Sequence, residues 1–326
     1  MRLAELGEFG LIDRIKANVA ASPSVLLGIG DDAAALLPAP GLVTLITSDM
    51  LLEGVHFDLS FGDPQSLGRK SLSVNLSDLA AMGAHPRHFL LGIALPRELS
   101  VEFMDRFMSG VLEQAERFGA TLVGGDTCAS KGGVAISITA LGEQRPELVV
   151  KRSGARAGDL VCLSGSVGDA AAGLQGLLRG ERDGFLVSRQ LDPTPRVSAG
   201  VALAEAGIAS AMIDVSDGVL ADLGHICELS GVGARLDLAM LPLSDEYRAV
   251  CGADPYALAL SGGEDYELLF CVARERRGEA EELFQGLGLR LSVIGEMTEK
   301  GGVELLAADG GSYAPRQRGF DHFEAG

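Results

Sequence analysis

Residues 67–83 read LGRKSLSVNLSDLAAMG, and their spacing predicts a helix. Leu72, Leu76 and Leu79 fall on one apolar stripe, while Ser71, Asn75 and Asp78 form a polar strip beside it. On either side lie the short apolar runs LVTLITSD (42–49) and FLLGIAL (89–95), which read as strands. A second helical pattern spans Val101 to Phe118, and the run VAISITALG (134–142) supplies another strand. Strands alternating with helices make the first half an α/β domain.

The second half repeats the grammar. DLVCLSG (159–165) reads as a strand, a helix starts at Asp169, and PRVSAGVALAEAG (195–207) is a helix with proline at its start, followed by strand, helix and strand. The stretch from Glu143 to Asp159 is mostly polar or basic and holds Pro146, so the boundary is expected near Leu148, giving domains 1–148 and 149–326. A length of 326 residues fits two such units of roughly 150 residues each. The expected fold class is therefore α/β (α+β), with two α/β domains. SDLAAMG (77–83) and SDGVLADLG (216–224) both place Ser-Asp before a helix, an echo too weak to indicate duplication.

Hydrophobic residues at 47% and charged residues at 22% describe a folded protein. The formal charge of -18 repels nucleic-acid phosphates and anionic membranes, so neither is an expected partner. Divalent cations would let such a surface accept a phosphorylated substrate, although solubility is the plainer reading of the charge. The five cysteines are scattered and contain no CxxC, which argues against disulfides or zinc and for thiols in a reducing compartment. The amino terminus lacks an apolar signal-like core, and no stretch is apolar for the roughly 18 residues of a membrane span. The expected location is cytoplasmic.

Acidic residues recur after apolar runs or beside glycine: Asp31 and Asp32 in GIGDD, Asp49 in LITSDM, Asp126 in LVGGDT, Asp214 and Asp217 in MIDVSDG. Each is expected at a strand end, where α/β proteins build ligand sites. Any one alone is more simply a turn or helix cap. Recurrence changes the weight, because many carboxylates in one pocket repel one another unless cations intervene, and an oxygen-only set suits Mg²⁺. Asp78 reads equally well as an ion-pair partner of Lys70 or Arg69 and as a further ligand. GDPQSLGRKS (62–71) has the wrong spacing for a P-loop and GIGDDA lacks the third glycine of a dinucleotide fingerprint. A nucleotide would be held otherwise, with backbone N–H groups near Gly124 and Gly125 among the contributors. His56 and Glu264 on their own read as hydrogen-bonded structural residues.

In order, GEFGLI, GIGDDAA, TSDMLLEGVHF, NLSDLAAMGA, GGDT, KRSGARAGD, DVSDG, LSGGEDYEL and GFDHF run from Gly7 to Phe323, and together they closely resemble the thiamine-monophosphate kinase family. The wider superfamily holds aminoimidazole ribonucleotide synthetase (PurM-like), selenophosphate synthetase and a hydrogenase maturation factor, and the motifs EGVHF, SGGEDYE and GFDHF separate this chain from them. The resemblance implies two domains of the aminoimidazole ribonucleotide synthetase-like type, ATP as co-substrate, several Mg²⁺ ions, thiamine monophosphate as acceptor, and a homodimer through the amino-terminal domains. It implies metal ligands at Asp32, Thr47, Ser48, Asp49, Asp78, Asp126, Asp214 and Asp217, with Asp31 undecided. It places ATP on Gly125, Asp126, Arg152 and Ser216, the thiamine end on His56, Glu264 and Phe320, and the catalytic burden on Asp49, Asp78, Asp126 and Arg152. Alternatives are another ATP-dependent synthetase of the superfamily, or a non-catalytic thiamine-phosphate or nucleotide sensor.

Overall fold

The computed structural model describes residues 1–30, 32–317 and 319. The chain forms two units, residues 1–79 with 84–146, and residues 80–83 with 147–326.

The first unit contains α1 (Leu3–Lys16), β1 (Val25–Leu27), β2 (Ala35–Leu36), β3 (Val43–Leu52), α2 (Pro64–Ala81), β4 (His85–Pro96), α3 (Val101–Phe118), β5 (Thr121–Ser130) and β6 (Ala135–Gln144). Its sheet runs β3-β6-β4-β5, with β4 and β5 parallel and the other pairs antiparallel. The predicted α2 forms because its leucine stripe has a core to enter: Leu72, Leu76 and Leu79 are buried, as are Phe89 and Ile138 on the sheet. Ser71 and Asn75, expected on a polar strip beside the core, are buried as well. Their polar groups are satisfied internally: Ser71 Oγ donates to Leu67 O at 2.7 Å, and Asn75 Oδ1 accepts from Asp49 N at 3.1 Å. α3 starts at Ser100, whose side chain accepts from Phe103 N, and stops at Gly119 in the left-handed conformation.

Along β3 the burial alternates. Leu45 and Leu51 point inward, whereas Ile46 is 66% and Met50 58% exposed, so one face of this sheet carries α2 and the other is open.

The second unit adds β7 (Leu160–Ser164), α4 (Asp169–Leu178), α5 (Phe185–Leu191), α6 (Val197–Glu205), β8 (Ala209–Asp214), α7 (Val219–Ser230), β9 (Gly233–Asp237), α8 (Asp245–Val250), α9 (Ala257–Ser261), β10 (Leu268–Val272), α10 (Arg277–Gly286), β11 (Leu291–Thr298) and β12 (Gly302–Leu306). The sheet order is β12-β9-β11-β7-β10-β8, antiparallel except for β12 beside β9. Leu163, Ile213, Leu223, Ile226, Leu236 and Leu269 share one core. On α10, Phe284 stacks with Phe270 of β10 at 5.4 Å. Covered strands read as continuous apolar runs, which is why LVCLS and LLFCV show no alternation.

Candidate active site

In the first unit, α2 and β3 bring carboxylates together. Thr47 Oγ1 donates to Asp78 Oδ2, and Asn75 holds the backbone of Asp49. Burial, and after it the negative charge of Asp78, pushes the Asp49 carboxyl up to about 6. Arg69, one of the two cations weighed as a partner for Asp78, reaches Glu113 at 3.1 Å.

Ser48 does not share this face. Its Oγ meets Thr139 Oγ1 at 3.0 Å on the opposite side of the sheet, as strand alternation requires. Asp49 and Asp126 were expected at strand ends, yet Asp49 lies inside β3 and Asp126 inside β5. These are the two edge strands, three spacings and about 14 Å apart. Asp126 is exposed and stands opposite Gly92 of β4. Before it, Gly125 has φ +154°, and a Cβ there would meet Leu91 O at 1.9 Å, so the GGD motif permits the close pairing of β5 with β4. Asp32 is exposed in the turn between β1 and β2. His56, after β3, accepts from Leu52 N on Nδ1 at 3.0 Å, which leaves the neutral ring's proton on Nε2. Asp31 lies outside the described residues.

In the second unit, two loops are tied into one platform. Glu264 N donates to Ser216 O at 2.9 Å, Tyr266 N to Val215 O at 2.9 Å, and Val215 N to Glu267 O at 2.8 Å. The DVSDG and SGGEDYE segments thus hold Asp214, Ser216, Asp217 and Glu264 in fixed relation. Glu264 has φ 71° and Tyr266 φ 50°, a conformation that costs about 1–3 kcal/mol for each non-glycine residue and persists only where the surroundings impose it. At Gly263 a Cβ would lie 2.2 Å from Ser216 O, so only glycine allows the two loops this approach. Lys151 O accepts from Met212 N at 3.0 Å, which lays the segment carrying Arg152 along β8, the strand that ends at Asp214. Arg152 is exposed. Phe320 lies outside the described residues.

Asp222, not singled out in the sequence, belongs to this platform. It is buried and accepts from the backbone N–H groups of Asp217 at 3.3 Å and Gly218 at 3.1 Å. Burial, followed by the charges of Asp214 and Asp217, pushes its carboxyl up to about 8 in spite of those two bonds. The signal was present as an Asp inside the apolar helix VLADLG. Among the described residues, no three His, Cys, Asp or Glu side chains gather closely enough to hold an ion by themselves. What each unit offers is crowded carboxylate oxygen accompanied by hydroxyl and backbone oxygen, a donor set that fits Mg²⁺ better than a soft metal.

The N-terminal domain of AIR synthase related proteins matches residues 30–144, and the C-terminal domain of the same family matches residues 156–307. Thiamine-monophosphate kinase of Haemophilus influenzae is 38% identical over 98% of this chain and 98% of its own length. The crystal structure of thiamine-monophosphate kinase from Stenotrophomonas maltophilia K279a superposes with a TM-score of 0.85 at 40% identity, covering 94% of this chain and 98% of that one. The structure of AaThiL complexed with AMPPCP and TMP gives 0.77 at 38% identity, with 99% of both chains covered. With motifs, both domains and near full-length identity in agreement, the chain belongs to the thiamine-monophosphate kinases, a phosphotransferase family within the AIR synthase related proteins.

Proposed function

We propose that the chain transfers the γ-phosphoryl group of ATP directly to the phosphate of thiamine monophosphate, yielding thiamine diphosphate and ADP, with Mg²⁺ required. The observation that carries this reading is 38% identity over 99% of the chain to a protein complexed with AMPPCP, an ATP analogue, and TMP. Mg²⁺ ions are assigned to Asp32, Thr47, Asp49, Asp78 and Asp126 in the first unit, to Ser48 there through its backbone oxygen because its hydroxyl lies on the other face of the sheet, and to Asp214 and Asp217 in the second. Bound there, Mg²⁺ would neutralise phosphate charge and the charge that develops on the transferring group.

The acceptor is a phosphate monoester with a second pKa of about 6, largely a dianion at neutral pH, so no general base is needed. The protein's residues therefore orient and hold. Thr47 fixes the Asp78 carboxylate and Asn75 the Asp49 backbone. Ser216 and Gly125 offer backbone and hydroxyl contacts to the nucleotide, and Arg152 adds a cationic one. His56, Glu264 and Phe320 are assigned to the thiamine end, where the carboxylate and the aromatic face suit a cationic heterocycle.

Among the described residues no helix is long and apolar enough to cross a membrane. We assign the protein to the cytoplasm. The open face of the first sheet, with Ile46 and Met50 exposed, is assigned to a second copy of this chain. Met50→Asp places a charge in that interface and is expected to shift the protein from dimer to monomer in light scattering. A variant that stays dimeric would remove this surface from the assignment.

The reaction is tested with purified protein, ATP, Mg²⁺ and thiamine monophosphate, following thiamine diphosphate. Product is expected from the monophosphate and not from plain thiamine, and none is expected with EDTA in excess. Undiminished product in EDTA would sink the metal assignment, and no product with any divalent ion would sink the kinase assignment.

A further inference from the structure

Glu264 has its backbone locked by the bond from its N–H to Ser216 O, but a fixed Cα does not orient a carboxylate three bonds away. α5, far off in sequence, contributes to that orientation. Gln190, only 4% exposed, donates from Nε2 to Glu264 Oε2. Its neighbour Arg189 goes elsewhere, donating to Asp265 O at 3.2 Å and to Glu267 Oε1 at 2.8 Å, and Arg196 also grips Glu267. The segment 189–196 thus sorts its donors. Glu267 receives two guanidinium cations, while from this segment Glu264 receives a neutral amide.

That sorting has a chemical consequence. A guanidinium or ammonium on Glu264 would orient it and cancel its charge together, whereas an amide orients it and adds no positive charge. One amide N–H occupies one of about four lone-pair sites of a carboxylate. We infer that Gln190 is a positioning residue for substrate recognition, holding Glu264 so that its negative charge faces the cationic part of the acceptor. The inference rests on the assignment of Glu264 to the thiamine end made above.

The test uses full-length Gln190→Met, Gln190→Lys, Glu264→Gln and the double variant Gln190→Met/Glu264→Gln. Steady-state kinetics vary each substrate in turn, and thermal midpoints are recorded alongside. Gln190→Met, which removes the donor at similar volume, is expected to raise KM for thiamine monophosphate by about tenfold or more, with kcat and KM for ATP within about threefold. Gln190→Lys retains an N–H donor but sets a positive charge against Glu264, and is expected to raise KM at least as far. The double variant should be no worse than the poorer single variant, because both act through one carboxylate.

A Gln190→Lys enzyme with unchanged KM would show a donor that only ties α5 to the loop, and would overturn the inference. If Glu264→Gln raises KM while Gln190→Met does not, the positioning role fails and the substrate role of Glu264 stands. If Glu264→Gln itself leaves KM unchanged, the assignment of Glu264 fails and the inference falls with it. Should Gln190→Met not fold, the lysine variant carries the decision alone.

Discussion

Asp49→Asn is expected to lower kcat by about a thousandfold or more, a loss of at least ~4 kcal/mol of transition-state stabilisation, while the protein stays folded. The substitution is nearly isosteric and leaves the backbone N–H that Asn75 accepts untouched, so the joint between β3 and α2 persists. What it removes is one negative charge from a half-buried pair. Asp49 and Asp78 lie close enough that the charge of one raises the pKa of the other. Proteins hold such pairs where a cation separates them. Asp78→Asn is expected to act alike, with the added loss of the acceptor for Thr47. The measurements are kcat at saturating ATP and thiamine monophosphate across a Mg²⁺ series, with a thermal melt as control. A variant that recovers full turnover at high Mg²⁺ has lost affinity only, which moves Asp49 from the reacting phosphates to an outer metal. One with near-normal turnover at ordinary Mg²⁺ would remove Asp49 from the metal set.

Much of the architecture was legible because its signals are local. The leucine stripe of α2, the strand runs on either side of it and the proline before α6 are statements about residues within a turn or two of each other. Mixed sheets were not legible. β10 lies between β7 and β8, and that order arises from connections that no short-range pattern encodes. The same limit applies to the polar strip of α2. Ser71 and Asn75 read as a polar strip beside the core and are buried; Ser71 Oγ and Asn75 Nδ2 donate within the helix, to Leu67 O and Ser71 O, but the donor to Asn75 Oδ1 comes from β3, 26 residues upstream. The acidic motifs were found, and the resemblance assigned them, but their expected place at strand ends held for Asp214 and failed for Asp49 and Asp126. The donors that organise SGGEDYE were missed altogether. Arg189, Gln190 and Arg196 reach it across 78, 74 and 71 residues, and an Arg and a Gln in a short helix or an Arg just before the next one carry no mark of such a role.

Glu267 is where that hidden network is most exposed to a single substitution. Its carboxylate is 0% exposed and accepts from Arg189 Nη2 at 2.8 Å, from Arg196 Nε at 2.6 Å and from Ser164 Oγ at 2.7 Å. The two guanidinium groups are themselves mostly buried. Glu267→Ala leaves both cations in low dielectric without their anion, together with a small void. Removing one partner of a buried pair costs about 3–5 kcal/mol, and here two cations are stranded by one change. At ~2–4 °C per kcal/mol for a unit of this size, the transition of the second unit should fall by roughly 6–20 °C. Glu267→Gln should cost less, because the amide oxygen still accepts although the charge is gone. In the background of Glu267→Ala, changing Arg196 to Met should recover part of the loss by removing one stranded cation, a sign reversal expected of coupled neighbours and of no pair of independent sites. Calorimetry of the wild type, Glu267→Ala, Glu267→Gln, Arg196→Met and Glu267→Ala/Arg196→Met reads all of this directly. A fall under about 2 °C for Glu267→Ala would mean that water reaches the cluster on opening. The geometry that holds SGGEDYE, and with it Glu264, would then have to come from the backbone ladder to Val215 and Ser216 alone.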